Sequence, residues 1–167
     1  MVPGEIPIVS CSLYEERMSH LILASASPRR SELLRNAGFE FIVRSRPVEE
    51  ILGPGEHPET YTKRLARAKA EAVWESGDEI VLGADTTVVL EDRVLEKPLG
   101  EEDARRMLRL LSGKMHDVIT GICLRHGNGA IVDAEWTRVH FAPLDQREID
   151  EYVASGEPMD KAGAYGI

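Results

Sequence analysis

An α/β fold is the class this sequence predicts, and three observations carry it. Residues 21–25 form a short apolar run that leads through small residues into a helix start at Ser27-Pro28, closed by Gly38. Strand-like and helical patterns then alternate over 39–44, 58–76, 79–90 and 101–112. Finally, Gly127-Asn128-Gly129 joins two strand-like runs, 115–126 and 130–142, as a hairpin. With 167 residues, 43% of them hydrophobic, the chain has enough apolar material for one domain with a sizeable core.

Each element has a local reason. In the helix over 28–37, Leu33, Leu34 and Ala37 are expected to face the core. The segment 45–58 carries Pro47, Gly53, Pro54, Gly55 and Pro58, so it reads as a loop. Glu49 and Glu50 open that loop, either as solvated side chains or as carboxylates aimed at a ligand. Over 58–76 an i, i+4 row of Tyr61, Leu65, Lys69 and Val73 should point inward. Lys69 on that row is either a snorkelling edge lysine or a cation directed into a site. The longest strand-like run, 79–90, contains Gly83, which permits close backbone approach, and Asp85, an anion in an apolar segment. A buried aspartate needs a partner, either a structural hydrogen-bonding group or a cation at a functional site. Pro98 ends the next strand, 94–98, and leaves Lys97 at its exit. The helix over 101–112 buries Ala104, Met107, Leu108 and Leu111, and Gly113 closes it. Asp145 and Glu148 form a capping box for a helix carrying Ile149, Tyr152 and Val153. The tail from 157 reads as a loop rich in small residues.

Two helix starts differ in charge. Glu101, Glu102 and Asp103 occupy the first turn of one, as the partial positive charge at a helix N-terminus favours. Arg29 and Arg30 occupy the first turn of the other, which is unfavourable unless an anion arrives. Phosphate is the natural anion, because the free N–H groups of a first turn bind it.

Composition narrows the ligand. Twenty basic against 29 acidic residues leave a net charge of −9, the wrong sign for general nucleic-acid binding, so no nucleic-acid partner is expected. Cys11 and Cys123 lack metal-site spacing, and the five histidines form no HExxH pattern. No apolar run approaches the ~20 residues of a membrane span. The first residues make a poor signal peptide, so residues 1–19 read as a flexible leader or an upstream-start extension and the protein as cytoplasmic, with no membrane partner.

The remaining charges suggest a kit. The cations are Arg29, Arg30, Lys69 and Lys97, and the anions are Asp85 and Glu49-Glu50. Several cations with one divalent metal neutralise a nucleoside triphosphate, while carboxylates hold the metal and activate water. Neither a Walker A motif nor GxGxxG is present. These residues alone describe a phosphate-binding site without identifying the bond cleaved.

Ser25-x-Ser27-Pro28-Arg29-Arg30, Gly83-Ala84-Asp85-Thr86, Glu96-Lys97-Pro98, Leu111-Ser112-Gly113-Lys114 and the run from Asp160 through Tyr165 to Ile167 together resemble the Maf family of nucleoside triphosphate pyrophosphatases. The resemblance spans 21–167. It implies a two-lobed, elongated mixed sheet flanked by helices, as in inosine triphosphate pyrophosphatases, with the nucleotide in the cleft. It also implies hydrolysis to the monophosphate and pyrophosphate with Mg²⁺ or Mn²⁺. By motif position, Asp85 matches the proton acceptor, with Lys69 and Lys97 as further catalytic groups. Ser25, Ser27, Arg29, Arg30 and Thr86 match substrate-binding positions, and Glu50 with Asp85 the metal ligands. The motif forms look like the branch acting on dTTP and UTP. In that branch a base-selective glutamine, a strand and a helix follow the Gly-Ile pair, so the domain over 21–167 is expected to be C-terminally incomplete. A homodimer is a further expectation. The alternative is a non-catalytic nucleotide-binding regulator of cell division, a process with which the family is associated.

Overall fold

The computed structural model describes residues 20–166, apart from Ser76 and Asn128. The expected leader, 1–19, lies outside the described residues. One long strand, β3 (Ile80–Leu90), is the spine. Along one edge it pairs antiparallel with β5 (Met115–His126), which pairs with β6 (Gly129–His140) to form the expected hairpin. Its other edge is shared. β1 (Leu21–Leu23) runs parallel to residues 80–82, and β4 (Arg93–Leu95) runs antiparallel to residues 88–90. Residues 83–87 of β3 therefore have no strand partner on that edge among the described residues. β2 (Ile42–Val43) lies parallel to β1 and ends the mixed sheet, whose order is β2-β1-β3-β5-β6 with β4 on β3.

Two cores flank the gap. One gathers Ile22, Val81 and Cys123 from the sheet with Ala66, Ala70 and Val73 of helix α2 (Pro58–Val73), counting helix α1 (Pro28–Asn36) as the first. α2 lies close on the sheet because β3 and β5 carry glycines beneath it. A Cβ on Gly83 would stand 2.1 Å from the Ala66 carbonyl oxygen, and one on Gly121 would stand 3.0 Å from that of Thr62. The other core joins Val88, Leu90, Leu95 and Val118 to α3 (Glu101–Leu111) and α4 (Gln146–Ala154). Each large aliphatic side chain buried there contributes about 1.5–3 kcal/mol. The capping box at Asp145 and Glu148 forms as expected. The tail is not plain loop. It folds into two 3₁₀ turns, Glu157–Asp160 and Ala162–Ala164, and Ala164 and Tyr165 enter the second core. No helix among the described residues is long and apolar enough to cross a membrane.

α1 departs from expectation. Ser27 stands at the N-cap position, but its side chain makes no capping bond. Leu33 is 68% exposed and Ala37 is exposed, while Ser31 is the buried residue of this helix. The reason is rotational. Arg30 is tied to the sheet by polar bonds, which turn the face carrying Arg30, Ser31 and Leu34 inward and Leu33 outward.

Candidate active site

The gap in the edge of β3 is the floor of a cleft. Along an antiparallel strand, alternate residues direct their backbone groups to opposite edges. The Leu82 and Ala84 carbonyls thus point toward the gap side. Ala24 N–H donates to the first (2.8 Å), and Arg30 Nη1 donates to the second (2.8 Å). Arg30 also donates to Ser25 Oγ (3.1 Å) and Thr86 Oγ1 (3.2 Å). The guanidinium thereby grips β3 on either side of Asp85. Burial lowers its pKa, with Asp85 opposing that effect. Ser25 Oγ also accepts from the Ser27 N–H (3.2 Å), which shapes the loop between β1 and α1. Arg29 behaves differently. It is exposed and forms no hydrogen bond or ion pair among the described residues. Its Nη1 lies 3.6 Å from where a Cβ on Gly166 would stand.

Asp85 projects toward α2 on the opposite face of β3. Its Oδ1 accepts from Lys69 Nζ at 2.5 Å. Lys69 also reaches Glu50 Oε1 at 2.8 Å, and Lys97 Nζ donates to Glu50 Oε2 at 3.2 Å. Lys69 is therefore directed into the site, and Glu50 is joined to it by its ion pairs with Lys69 and Lys97. Burial raises the Asp85 pKa above the ordinary aspartate value, although Lys69 and Arg30 pull it down. Burial also works to raise that of Glu50, but the Lys69 hydrogen bond and charge, helped by Lys97, outweigh it and leave the pKa lowered.

Four further residues join the site, none of which sequence reasoning placed there. Thr62 Oγ1 donates to Thr87 Oγ1 (2.8 Å), which makes a longer 3.4 Å contact to Asp85 Oδ2. Buried Tyr61 donates its hydroxyl to Glu96 Oε1 (2.8 Å), which holds the strand end carrying Lys97. Burial, with Glu96 adding to it, pushes the Tyr61 phenol far above its usual range. The period-two pattern places Thr87 beside Asp85 on one face of β3, a signal available in the sequence. The Tyr61–Glu96 pairing joins α2 to the segment just after β4, 35 positions away, and carries no such signal. The tail motif also contributes, because Gly163 N–H donates to the Glu96 carbonyl (3.1 Å) and Ala162 lines the cleft. By contrast, the motif at Leu111-Ser112-Gly113-Lys114 is structural here. Ser112 Oγ accepts from Leu144 N–H (2.8 Å) and ties α3 to the entry of α4.

The residues present fit a divalent cation in one respect. Glu50 and Asp85 already share a cation, the Lys69 ammonium. Two carboxylates are as many as Mg²⁺ commonly takes from a protein when substrate phosphates and water complete its shell. No group of three or more histidine, cysteine or carboxylate ligands exists among the described residues.

Comparison with known proteins agrees with this architecture. The Staphylococcus aureus Ham1 protein structure superposes with a TM-score of 0.53 at 14% identity, covering 74% of this chain and 72% of that one, which shows a shared fold. A protein of Koribacter versatilis (strain Ellin345) named dTTP/UTP pyrophosphatase is 55% identical over 148 residues, 88% of this chain and 77% of its own. One of the same name from Anaeromyxobacter dehalogenans (strain 2CP-C) is 53% identical over 151 residues, 88% of this chain and 76% of its own. The Maf-like protein family matches residues 20–167, and the chain belongs to that family.

Proposed function

We propose that this chain hydrolyses nucleoside triphosphates, dTTP and UTP among them, to the monophosphate and pyrophosphate with a divalent metal such as Mg²⁺ or Mn²⁺. The observation that carries the reading is the Glu50–Lys69–Asp85 cluster at the open edge of β3, beside arginines at a helix start. The names of the relatives supply the substrate class.

In this reading the triphosphate enters the cleft with its phosphates toward Arg29, Lys69 and Lys97. Arg29 has an exposed guanidinium, and the first-turn N–H groups of α1 stand beside it. Arg30 acts mainly through the protein, fixing Ser25, Ala84 and Thr86. Ser25, Ser27 and Thr86 border the substrate. Glu50 and Asp85 would hold the metal, which supplies charge neutralisation at the phosphates and orients water. Asp85 accepts a proton from the water that attacks the α-phosphorus. The bond from that phosphorus to the bridging oxygen breaks, and pyrophosphate leaves with the electron pair.

The test is product identity. Incubation of dTTP and UTP with the protein and Mg²⁺ should release pyrophosphate and monophosphate in equal amounts, and Asp85→Asn should abolish turnover while nucleotide still binds. Release of orthophosphate, or full activity in Asp85→Asn, would sink this mechanism.

A further inference from the structure

We infer that Lys69 is an exchangeable internal cation, holding Glu50 and Asp85 together until a divalent metal displaces its ammonium toward the triphosphate. The inference rests on the proposed function in taking these two carboxylates as the metal ligands.

The geometry makes the ammonium and the metal rivals. Lys69 Nζ is 2.5 Å from Asp85 Oδ1 and 2.8 Å from Glu50 Oε1, so one positive group already bridges the two anions. The other two oxygens are also engaged, Glu50 Oε2 by Lys97 and Asp85 Oδ2 by Thr87. Mg²⁺ binds oxygen at about 2.0–2.1 Å, so an ion between the same carboxylates leaves no room for an ammonium there. To join both carboxylates directly, the metal must displace a donor, and Lys69 is the one they share.

Lys69 is also built to move. Its helix is anchored by Ala66 and Ala70 against Gly83. Its four-carbon stem is flexible, so the ammonium swings without moving the backbone. The arrangement solves an electrostatic problem. Two carboxylates facing one point repel each other when nothing lies between them, and an aspartate this deeply placed is costly to leave unpaired. The lysine offsets both costs in the metal-free protein. After displacement, its charge remains in the cleft for a substrate that brings several negative charges.

Lys97 provides the internal control, because it also contacts Glu50 but does not bridge to Asp85. Mn²⁺ binding without nucleotide, measured by electron paramagnetic resonance of the free ion, would be compared in wild type, Lys69→Met and Lys97→Met. Removing either lysine removes one positive charge, yet displacement predicts roughly tenfold tighter binding for Lys69→Met and at most about threefold for Lys97→Met. Equal tightening in both variants, no tightening in Lys69→Met, or no Mn²⁺ binding in any of the three proteins would overturn the inference.

A second measurement uses only the wild-type fold. In protein labelled with ¹⁵N-lysine, the Lys69 ammonium resonance, assigned by its loss in Lys69→Met or through its side-chain carbons, should shift and exchange faster on Mg²⁺ addition. An unchanged resonance at saturating Mg²⁺ would overturn the inference. If displacement fails but pyrophosphate is still released, the proposed function stands. If Lys69→Met binds Mn²⁺ more tightly but no nucleotide yields pyrophosphate, displacement stands and the functional reading fails.

Discussion

α1 and α3 begin in opposite ways. α3 starts with Glu101, Glu102 and Asp103, pairs Asp103 with Arg106 (2.7 Å), and buries Ala104, Met107, Leu108 and Leu111. Its position is set by apolar area, and its first turn follows the helix dipole. α1 starts with Pro28, Arg29 and Arg30, has no acid in its first turn, and buries only Ser31. What docks it is one guanidinium bonded to a hydroxyl on its own approach loop and to a carbonyl and a hydroxyl of β3. The two arginines that look alike in sequence also divide their work. Arg30 satisfies itself inside the protein, and Arg29 remains exposed. The charge anomaly at the start of α1 therefore has two parts: Arg30 is satisfied within the protein, and exposed Arg29, whose charge also acts on Asp160, is the one open to an external anion.

That contrast can be broken by substitution. The largest stability loss is expected from the apolar helix: Leu108→Ala should cost about 2–5 kcal/mol in a denaturant titration, with kcat at 25 °C nearly unchanged. Arg30→Ala should cost less stability, about 1–3 kcal/mol. It should also lower kcat/KM on the order of 100-fold, because both flanks of Asp85 lose their tether. If Arg30→Ala behaves like Leu108→Ala, α1 is scaffold and its polar docking has no catalytic consequence. Arg29→Ala should be the mildest to the fold, within about 0.5 kcal/mol of wild type, since the residue is exposed and unpaired among the described residues. Its effect should appear as a KM raised roughly tenfold for triphosphate, steepest at low salt. A larger effect on melting than on KM would merge the two arginines into one structural role.

Much of this architecture was legible because its signals are local. Gly38 with positive φ, the Asp145–Glu148 capping box, the inward row from Tyr61 to Val73 and the hairpin at Gly127 all follow from residue chemistry within a few positions. Asp85 and Lys69 stood out because a charge in an apolar pattern requires a partner, and each proved to be the other's partner. The rotation of α1 was not legible. Leu33 and Leu34 satisfy a helical stripe equally well in two orientations, and Arg30, bonded to residues more than fifty positions away, selects between them. The Tyr61–Glu96 bond was hidden for the same reason.

By itself, the sequence determined the elements, the acids and bases that carry the chemistry, and the odd charge at the first helix. Tertiary structure decided which of these charges meet. Local chain conformation depends on near neighbours, whereas the cleft exists because β1 and β4 share one edge of β3 and, among the described residues, leave 83–87 without a strand partner between them. Only that long-range pairing brings Glu50, Lys69, Asp85 and Lys97 to one point, and only it separates the arginine that braces the site from the one that faces the solvent.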